Sequence, residues 1–140
     1  MNLDKFLDAQ AKQADLAARV LISAMFLIEG FTKFGNYEGV QRYMEAAGVP
    51  GILLPLVIAA EILGALAVIV GWQARWAALA LAGFCILTAV FFHTDFGDFN
   101  QKIHFMKNLA IAGGFLFLVA RGPGPWSLDA RRAAARDSAP

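Results

Sequence analysis

Four blocks of apolar residues, each about as long as a helix, constrain this chain more than any other feature. They cover residues 16–34, 52–72, 74–93 and 103–121. Of the whole chain, 59% is hydrophobic and only 16% is charged, whereas a soluble domain is usually about half apolar and about a quarter charged. An apolar excess that is concentrated in blocks is typical of membrane-spanning helices. The sequence therefore predicts an all-α integral membrane protein that lies in a lipid bilayer.

The lengths of the blocks and of their connections predict a four-helix bundle. Residues 76–92 carry no charged side chain, and at about 1.5 Å per residue they approach the roughly 30 Å thickness of the hydrocarbon layer. Short polar segments separate the blocks, so consecutive spans are expected to run antiparallel, up and down. With 140 residues, the chain is expected to form a single membrane domain.

The segments outside the blocks predict smaller elements. Residues 2–15 place Leu3, Phe6 and Leu7 on one side and fit a short amphipathic helix on the membrane surface, although a frayed, solvated N-terminus is equally consistent with them. Residues 37–47 fit a short interfacial helix in the first outer loop. Residues 122–140 are expected to form a cytoplasmic tail that contains a short helix capped by Ser127 and ends in a solvated, partly disordered segment.

The distribution of basic residues predicts the orientation. Because Lys and Arg are enriched on the cytoplasmic side, the side with more of them is assigned inward, which places both termini in the cytoplasm. Arg19 and Arg75 are expected at the inner interface, where the Arg19 side chain can snorkel toward water. Seven basic residues lie on the inner side and four on the outer side: Lys5, Lys12, Arg75, Arg121, Arg131, Arg132 and Arg136 against Lys33, Arg42, Lys102 and Lys107.

Polar and ionisable side chains inside the blocks are the candidate functional residues, because each is expensive in a bilayer unless it is paired. Their depths overlap in the outer half of the predicted bundle. Two interpretations are open: interhelical ties, Glu29 with Lys33 and Glu61 with Lys107, or a small polar cavity that binds a ligand. The predicted cluster contains Glu29, Lys33, Glu61, His93, His104, Lys107 and Asn108.

The cofactor prediction depends on the two histidines. His93 and His104 could hydrogen-bond a quinone carbonyl, whereas histidines at helix ends are more often interfacial residues than haem ligands, so haem is disfavoured. We expect no metal site. Cys85 is the only cysteine and is expected in the core. A net charge of +1 gives no basic field for nucleic acid. No residue pattern assigns a catalytic role.

The chain resembles the DoxX family of small four-helix membrane proteins. The matching residues are Arg19, EGFTKF (29–34), AAEILGALAVIVGW (59–72), QARWAAL (73–79) and GPGPWSLD (122–129). The resemblance implies a bacterial inner-membrane protein with four spans. The family is named for a subunit linked to thiosulfate:quinone oxidoreduction, and its members have been connected with membrane redox or detoxification complexes. It has no agreed catalytic set, so the resemblance implies no catalytic residue.

Three functional hypotheses follow. The first is an accessory subunit, not catalytic on its own, that holds a quinone-like ligand beside a redox partner protein. The second is a small proton-coupled transporter that uses its membrane glutamates, although lysine partners would disfavour proton exchange near neutral pH. The third is a scaffold or assembly factor without a ligand, which would present the small residues Gly64 and Ala65 or Ala110 and Gly114 to a partner helix.

Overall fold

The chain folds into helices joined by short connections. The computed structural model describes residues 2–138, and no strand occurs within that range, which confirms the all-α prediction. A short 3-10 helix, Gly51–Leu53, leads into the third α-helix. The α-helices are α1 (Leu3–Gly35), α2 (Tyr37–Ala46), α3 (Leu54–Val70), α4 (Ala74–Phe92), α5 (Phe99–Arg121) and α6 (Leu128–Asp137).

Three helical segments are long and apolar enough to cross a membrane. They are Gly51–Val70, Ala74–Phe92 and Phe99–Arg121. The long helix α1 is not among them, because its apolar half carries the charged residues Arg19, Glu29 and Lys33. Three such segments in one chain make it a multi-pass membrane protein.

The N-terminal segment differs from its prediction. Residues 2–15 were expected to form a separate surface helix or a frayed end, but they are continuous with the first apolar block in the single 33-residue helix α1. The joining residues 9–20 contain five alanines and neither glycine nor proline. Alanine is the strongest helix former, so nothing in this stretch interrupts the helix.

Helix boundaries shift from the predicted ones where the local chemistry sets a cap. The second block was expected to end at residue 72, but α3 ends at Val70 because Gly71 takes the left-handed conformation, with φ of 72°. The fourth block was expected to begin at residue 103, but α5 begins at Phe99. The Asp98 carboxylate accepts a hydrogen bond from the Asn100 amide at 2.8 Å and so caps the earlier start.

The C-terminal segment is more ordered than its prediction. The helix capped by Ser127 is present, since the hydroxyl of Ser127 accepts a hydrogen bond from the Ala130 amide at 3.2 Å. That helix, α6, continues to Asp137, through most of the segment that was expected to be partly disordered. The same expectation for Ala139 and Pro140 lies outside the described residues.

The core is built from small residues and a few large ones on α1, α3, α4 and α5. Phe26 of α1 meets Phe115 of α5 edge to face, with ring centroids 5.5 Å apart. The expected core position of Cys85 is confirmed, because the residue is fully buried. Small side chains permit close helix packing in a membrane. The buried cluster contains Phe26, Ala65, Val68, Ala78, Leu81, Ala82, Cys85, Ala112 and Phe115.

Helix α2 covers the N-terminal end of α3 and the C-terminal end of α4. Its buried Met44 packs with Leu54 and Ile58 of α3. Its Tyr43 stacks on Phe92 at the end of α4, with ring centroids 5.2 Å apart. The helix predicted over residues 37–47 is thus confirmed as α2, and it forms one wall of the pocket described below.

Candidate functional site: a polar pocket lined by residues of α1 to α4

A glycine on α1 sets how closely α1 and α3 approach each other. A Cβ atom at Gly30 would lie 2.6 Å from Cγ1 of Ile62 and 3.3 Å from Cβ of Glu61. Any larger residue would therefore force the two helices apart or displace the Ile62 side chain. The close approach brings the next turn of α1, which carries Lys33, against the middle of α3.

Lys33 and Glu61 form a largely buried ion pair between α1 and α3. The Lys33 Nζ lies 2.9 Å from Oε1 and 2.8 Å from Oε2 of Glu61. Only 17% of the Lys33 side chain and 6% of the Glu61 side chain are exposed. An unpaired charge at this position would be costly, so each residue neutralises the other.

Glu29 lies at the edge of this pair. Its carboxylate is 3.9 Å from Lys33 Nζ, and 58% of its side chain is exposed. The Lys33 ammonium also donates a hydrogen bond to the backbone oxygen of Glu29 at 3.3 Å. The contact predicted from the i, i+4 spacing is therefore present, but Lys33 is oriented mainly toward Glu61.

The ion pair lines a pocket of about 200 Å³. Lys33 and Glu61 supply the charges. Thr88 of α4 and His93, which directly follows α4, add further polar atoms. The remaining lining is apolar or aromatic and comes largely from α2, the residues after it, α3 and α4: Val40, Tyr43, Met44, Val49, Val57, Phe84 and Phe92. A few polar groups in an apolar wall are the usual composition of a small-molecule site.

The histidine at the end of α4 is held by two neighbours on α5. His93 Nδ1 lies 2.7 Å from Oε1 of Gln101, and the ring stacks on that of His104 with centroids 5.1 Å apart. When Nδ1 donates to Gln101, the neutral ring presents Nε2 as an acceptor. The position of the ring is therefore defined by contacts outside the pocket.

The α5 members of the predicted cluster do not line the pocket. His104 is exposed and meets only the outer face of His93, while Asn108 donates its side-chain hydrogen bond to the backbone oxygen of His104 at 2.9 Å. Lys107 is exposed and has no salt bridge within residues 2–138. The expected tie between Glu61 and Lys107 is absent, because Lys33 occupies the Glu61 carboxylate instead.

Arg19 is buried at the opposite end of α1 rather than snorkelling to water. Only 2% of the residue is exposed. Its Nη1 donates to the backbone oxygens of Ile69 at 2.8 Å and Val68 at 3.3 Å, and its Nη2 donates to the backbone oxygen of Trp126. The last carbonyls of a helix lack helical partners, and the guanidinium satisfies that of Ile69. It adds a second donor to the Val68 oxygen, which also accepts from the Gly71 amide. Arg19 thereby joins three segments of the chain.

The segment before α6 closes this end of the molecule. The Asp129 carboxylate accepts hydrogen bonds from the backbone amides of Gln73 and Ala74, both at 2.9 Å, and thereby caps α4. The Asp129 amide donates to the backbone oxygen of Gly71 at 2.8 Å. Arg75, the other predicted interface residue, is exposed, and its guanidinium lies beside Gly122.

Several residues of the two sites were not singled out from the sequence. Thr88 and Tyr43 line the pocket, and Gln101 holds His93. At the other end of α1, the Trp126 backbone oxygen accepts a hydrogen bond from Arg19, and Asp129 caps α4. Isolated polar or aromatic residues on helix ends carry no spacing signal. The Ser-Leu-Asp part of GPGPWSLD did signal a capped helix, but not that its carboxylate caps another helix.

The small-residue faces proposed for a partner helix are largely used by the chain itself. A Cβ atom at Gly64 would lie 3.1 Å from the Leu81 side chain, and one at Gly114 would lie 2.7 Å from Cδ1 of Ile22. Ala65 is fully buried. Residues 2–138 contain no group of three His, Cys, Asp or Glu side chains that could hold a metal ion.

Comparison with known proteins identifies the family. The DoxX family model matches residues 14–94. The chain is 49% identical to inner membrane protein YqjF of Escherichia coli K12 over 114 residues, which cover 81% of this chain and 88% of the relative. It is 33% identical to inner membrane protein YphA of the same organism over 141 aligned positions, covering 94% of this chain and all of the relative. No solved structure matches the chain significantly. The chain therefore belongs to the DoxX family and is a multi-pass inner-membrane protein.

Proposed function

We propose that this protein is an accessory subunit of a quinone-linked membrane redox or detoxification system, and that the pocket at Lys33 and Glu61 holds the head group of a quinone-like ligand. The observation that carries the proposal is the largely buried ion pair in the wall of a pocket. A pair that served only to join two helices would need no adjoining space.

The polar groups of the pocket suit the two oxidation states of a quinone. The Lys33 ammonium has three N–H donors. It can donate one to a quinone carbonyl in place of the Glu29 backbone oxygen, which it contacts at 3.3 Å, while it remains paired with Glu61. The acceptor nitrogen of His93 can accept a hydrogen bond from the hydroxyl group of the reduced form, the hydroquinone. The apolar and aromatic walls would surround the ring itself, in keeping with the stacking of Tyr43 on Phe92.

The proposal includes a fourth span and an orientation. Helix α1 contacts the C-terminal end of α3 through Arg19 and its middle through Lys33, so the two helices run antiparallel. Lys33 is paired with Glu61, and the Arg19 guanidinium is hydrogen-bonded to backbone oxygens. The apolar half of α1 would therefore cross the bilayer beside α3, α4 and α5 in an up-and-down four-helix bundle. The excess of Lys and Arg near the Arg19 end supports cytoplasmic termini and places the pocket in the outer half.

The proposal is tested by calorimetric titration of the detergent-purified protein with a tail-less quinone. Mass spectrometry of the purified protein identifies any quinone that co-purifies. His93→Phe should weaken binding of the reduced form of this compound, the hydroquinone, by about two- to tenfold. The variant loses the hydrogen bond that the hydroquinone hydroxyl donates to the ring nitrogen, and a hydrogen bond contributes about 0.5–1.5 kcal/mol. The phenylalanine ring preserves stacking on His104. His104→Phe is the matched control, because His104 stacks on His93 from outside the pocket, and it should bind like the wild type.

Two results would count against the proposal. If the wild-type protein neither retains a co-purified quinone nor binds the added one, the assignment of the ligand is wrong. If His93→Phe and His104→Phe bind the hydroquinone equally well, the ligand does not occupy the pocket. A stoichiometric partner protein recovered by crosslinking in the native membrane would support the accessory role, and a monomer without partners would contradict it.

A further inference from the structure

An apolar groove runs along the outside of α3 and α4, next to the polar pocket. We call it the lateral groove, and its volume is about 650 Å³. It is bordered by Leu53, Leu56 and Ala60 on the α3 side and by Leu79, Gly83 and Leu87 on α4. Between Leu79 and Phe92 it extends about 20 Å at about 1.5 Å per residue. The groove has the shape and apolarity required for an extended hydrocarbon chain.

The lateral groove and the polar pocket share a wall. Five residues line both spaces: Val49, Val57, Phe84, Thr88 and Phe92. Three of them, Val49, Val57 and Thr88, have small side chains, and Thr88 is the polar member of the five. A charged pocket and a lipid-facing apolar groove are therefore adjacent parts of one surface.

The size of the polar pocket implies that a ligand extends beyond it. The pocket measures about 200 Å³, whereas pockets that enclose a whole small molecule usually measure about 300–1,000 Å³. One ring with its oxygen atoms fits in such a space, and a long substituent does not. The lateral groove is the neighbouring space that could receive it.

We infer that the protein binds a ligand with a polar head and a long apolar tail, which enters from the bilayer between α3 and α4. The head lies at Lys33 and Glu61, and the tail lies in the lateral groove. The inference rests on the proposed function for the identity of the head and adds the tail, its location and the lateral route of entry. Ordinary lipid chains would occupy the groove in the absence of this ligand.

Entry from the membrane is consistent with the surroundings of the pocket. Helix α2 covers the outer end with Met44, which is buried, and with Tyr43, which stacks on Phe92. On the membrane side, Leu56 and Leu87 are more than half exposed. An apolar tail already dissolved in the bilayer meets no polar barrier there.

The inference is tested by photolabelling the full-length protein in lipid nanodiscs. The probe is a quinone with a diazirine in its alkyl tail, and the control probe has the same tail without the quinone head. After illumination, the quinone probe should label the α4 stretch between Leu79 and Phe91 in excess of the control probe. An excess of tail-less quinone should reduce that labelling to the level of the control probe.

Two glycines offer a matched pair of variants. A Cβ atom at Gly83 meets no atom within 4 Å, and the same holds at Gly113 on α5. Gly83→Leu would therefore begin in open space and extend its side chain into the lateral groove, whereas Gly113→Leu adds the same side chain outside it. Gly83→Leu should lose the competed labelling and retain binding of the tail-less quinone, and Gly113→Leu should behave like the wild type in both assays.

The outcomes separate this inference from the proposed function. If tail-less quinone binds but the labelling of α4 is no greater than with the headless probe, or if it does not respond to competition, the tail does not lie in the groove and the inference is overturned. Equal competed labelling of Gly83→Leu and Gly113→Leu overturns it as well. If tail-less quinone does not bind the wild type, the proposed function fails, and the inference fails with it.

Discussion

The ammonium group of Lys33 on α1 contacts both carboxylate oxygens of Glu61 on α3, at 2.9 and 2.8 Å. The two residues are 28 positions apart in sequence, and both are largely buried. This relationship explains how α1 can carry charges and still lie against apolar helices. It also places a fixed positive and negative charge in the wall of a small pocket.

The close approach at Gly30 gives a first prediction. In Gly30→Ala the new methyl group meets Ile62 at 2.6 Å, so α1 and α3 must separate or the isoleucine must move. We expect a loss of about 1–3 kcal/mol of stability, as for other overpacked sites. Thermal unfolding in detergent measures it. Gly35→Ala is the control, since a Cβ atom there meets nothing within 4 Å, and equal unfolding temperatures for both variants would refute the packing argument.

Removal of the buried guanidinium of Arg19 should detach the segment before α6 from the C-terminal end of α3. Arg19→Ala leaves the backbone oxygens of Ile69 and Trp126 without their donor, and each buried group that loses its partner costs about 1–3 kcal/mol. We expect lower thermal stability and faster proteolysis within residues 122–127. Arg19→Lys should rescue little, because an ammonium cannot reproduce the planar fork.

The control for Arg19 is a substitution at an exposed arginine. Arg42→Ala removes a side chain that is 73% exposed and 3.9 Å from Glu38. Exposed pairs contribute about 0–1 kcal/mol, so its unfolding temperature should change little. Unchanged proteolysis of Arg19→Ala would show that the guanidinium does not hold the C-terminal segment.

The cap that Asp129 places on α4 gives a third prediction. Asp129→Ala removes both acceptors of the Gln73 and Ala74 amides, and the loss of a helix cap typically costs about 1 kcal/mol. Hydrogen exchange of these amides should accelerate, while exchange in the middle of α4 should not. Asp137→Ala, at the far end of α6, should leave both unchanged; if it accelerates exchange to the same extent, the cap is not the cause.

The sequence was sufficient to predict where the long helices lie. Apolar blocks match the apolar interior of the bilayer, and polar connections match its aqueous surfaces. It also predicted overlapping depths for Glu29, Lys33 and Glu61, since depth follows from the position along a helix. It could not give the rotation of each helix about its axis. For that reason Lys107 was expected to meet Glu61, although the structure exposes Lys107 and gives Glu61 to Lys33.

Arg19 shows a second limit of sequence reasoning. A single arginine near a helix end usually extends to water, and no local pattern indicates otherwise. Its burial depends on carbonyls from residues 68, 69 and 126, which lie at least 49 positions away in sequence. Contacts of this kind depend on the tertiary packing of α1, α3 and the segment before α6. The spacing of residues along the sequence does not predict them.

The single substitutions at the ion pair should destabilise the protein far more than the double substitution. Lys33→Met leaves the carboxylate of Glu61 buried and unpaired, and Glu61→Met does the same to the ammonium of Lys33, at a cost of about 3–5 kcal/mol each. In Lys33→Met/Glu61→Met two apolar side chains of similar length replace the pair, which is often neutral. Unfolding temperatures of the three variants measure these differences.

Calorimetric titration of the double variant Lys33→Met/Glu61→Met with tail-less quinone is the most direct test of whether the pair is part of a ligand site. The variant keeps the helices joined but removes the charges from the wall of the pocket. We predict unfolding close to that of the wild type together with loss of quinone binding. Binding as tight as that of the wild type would contradict the assignment and would show that Lys33 and Glu61 serve only to hold α1 against α3.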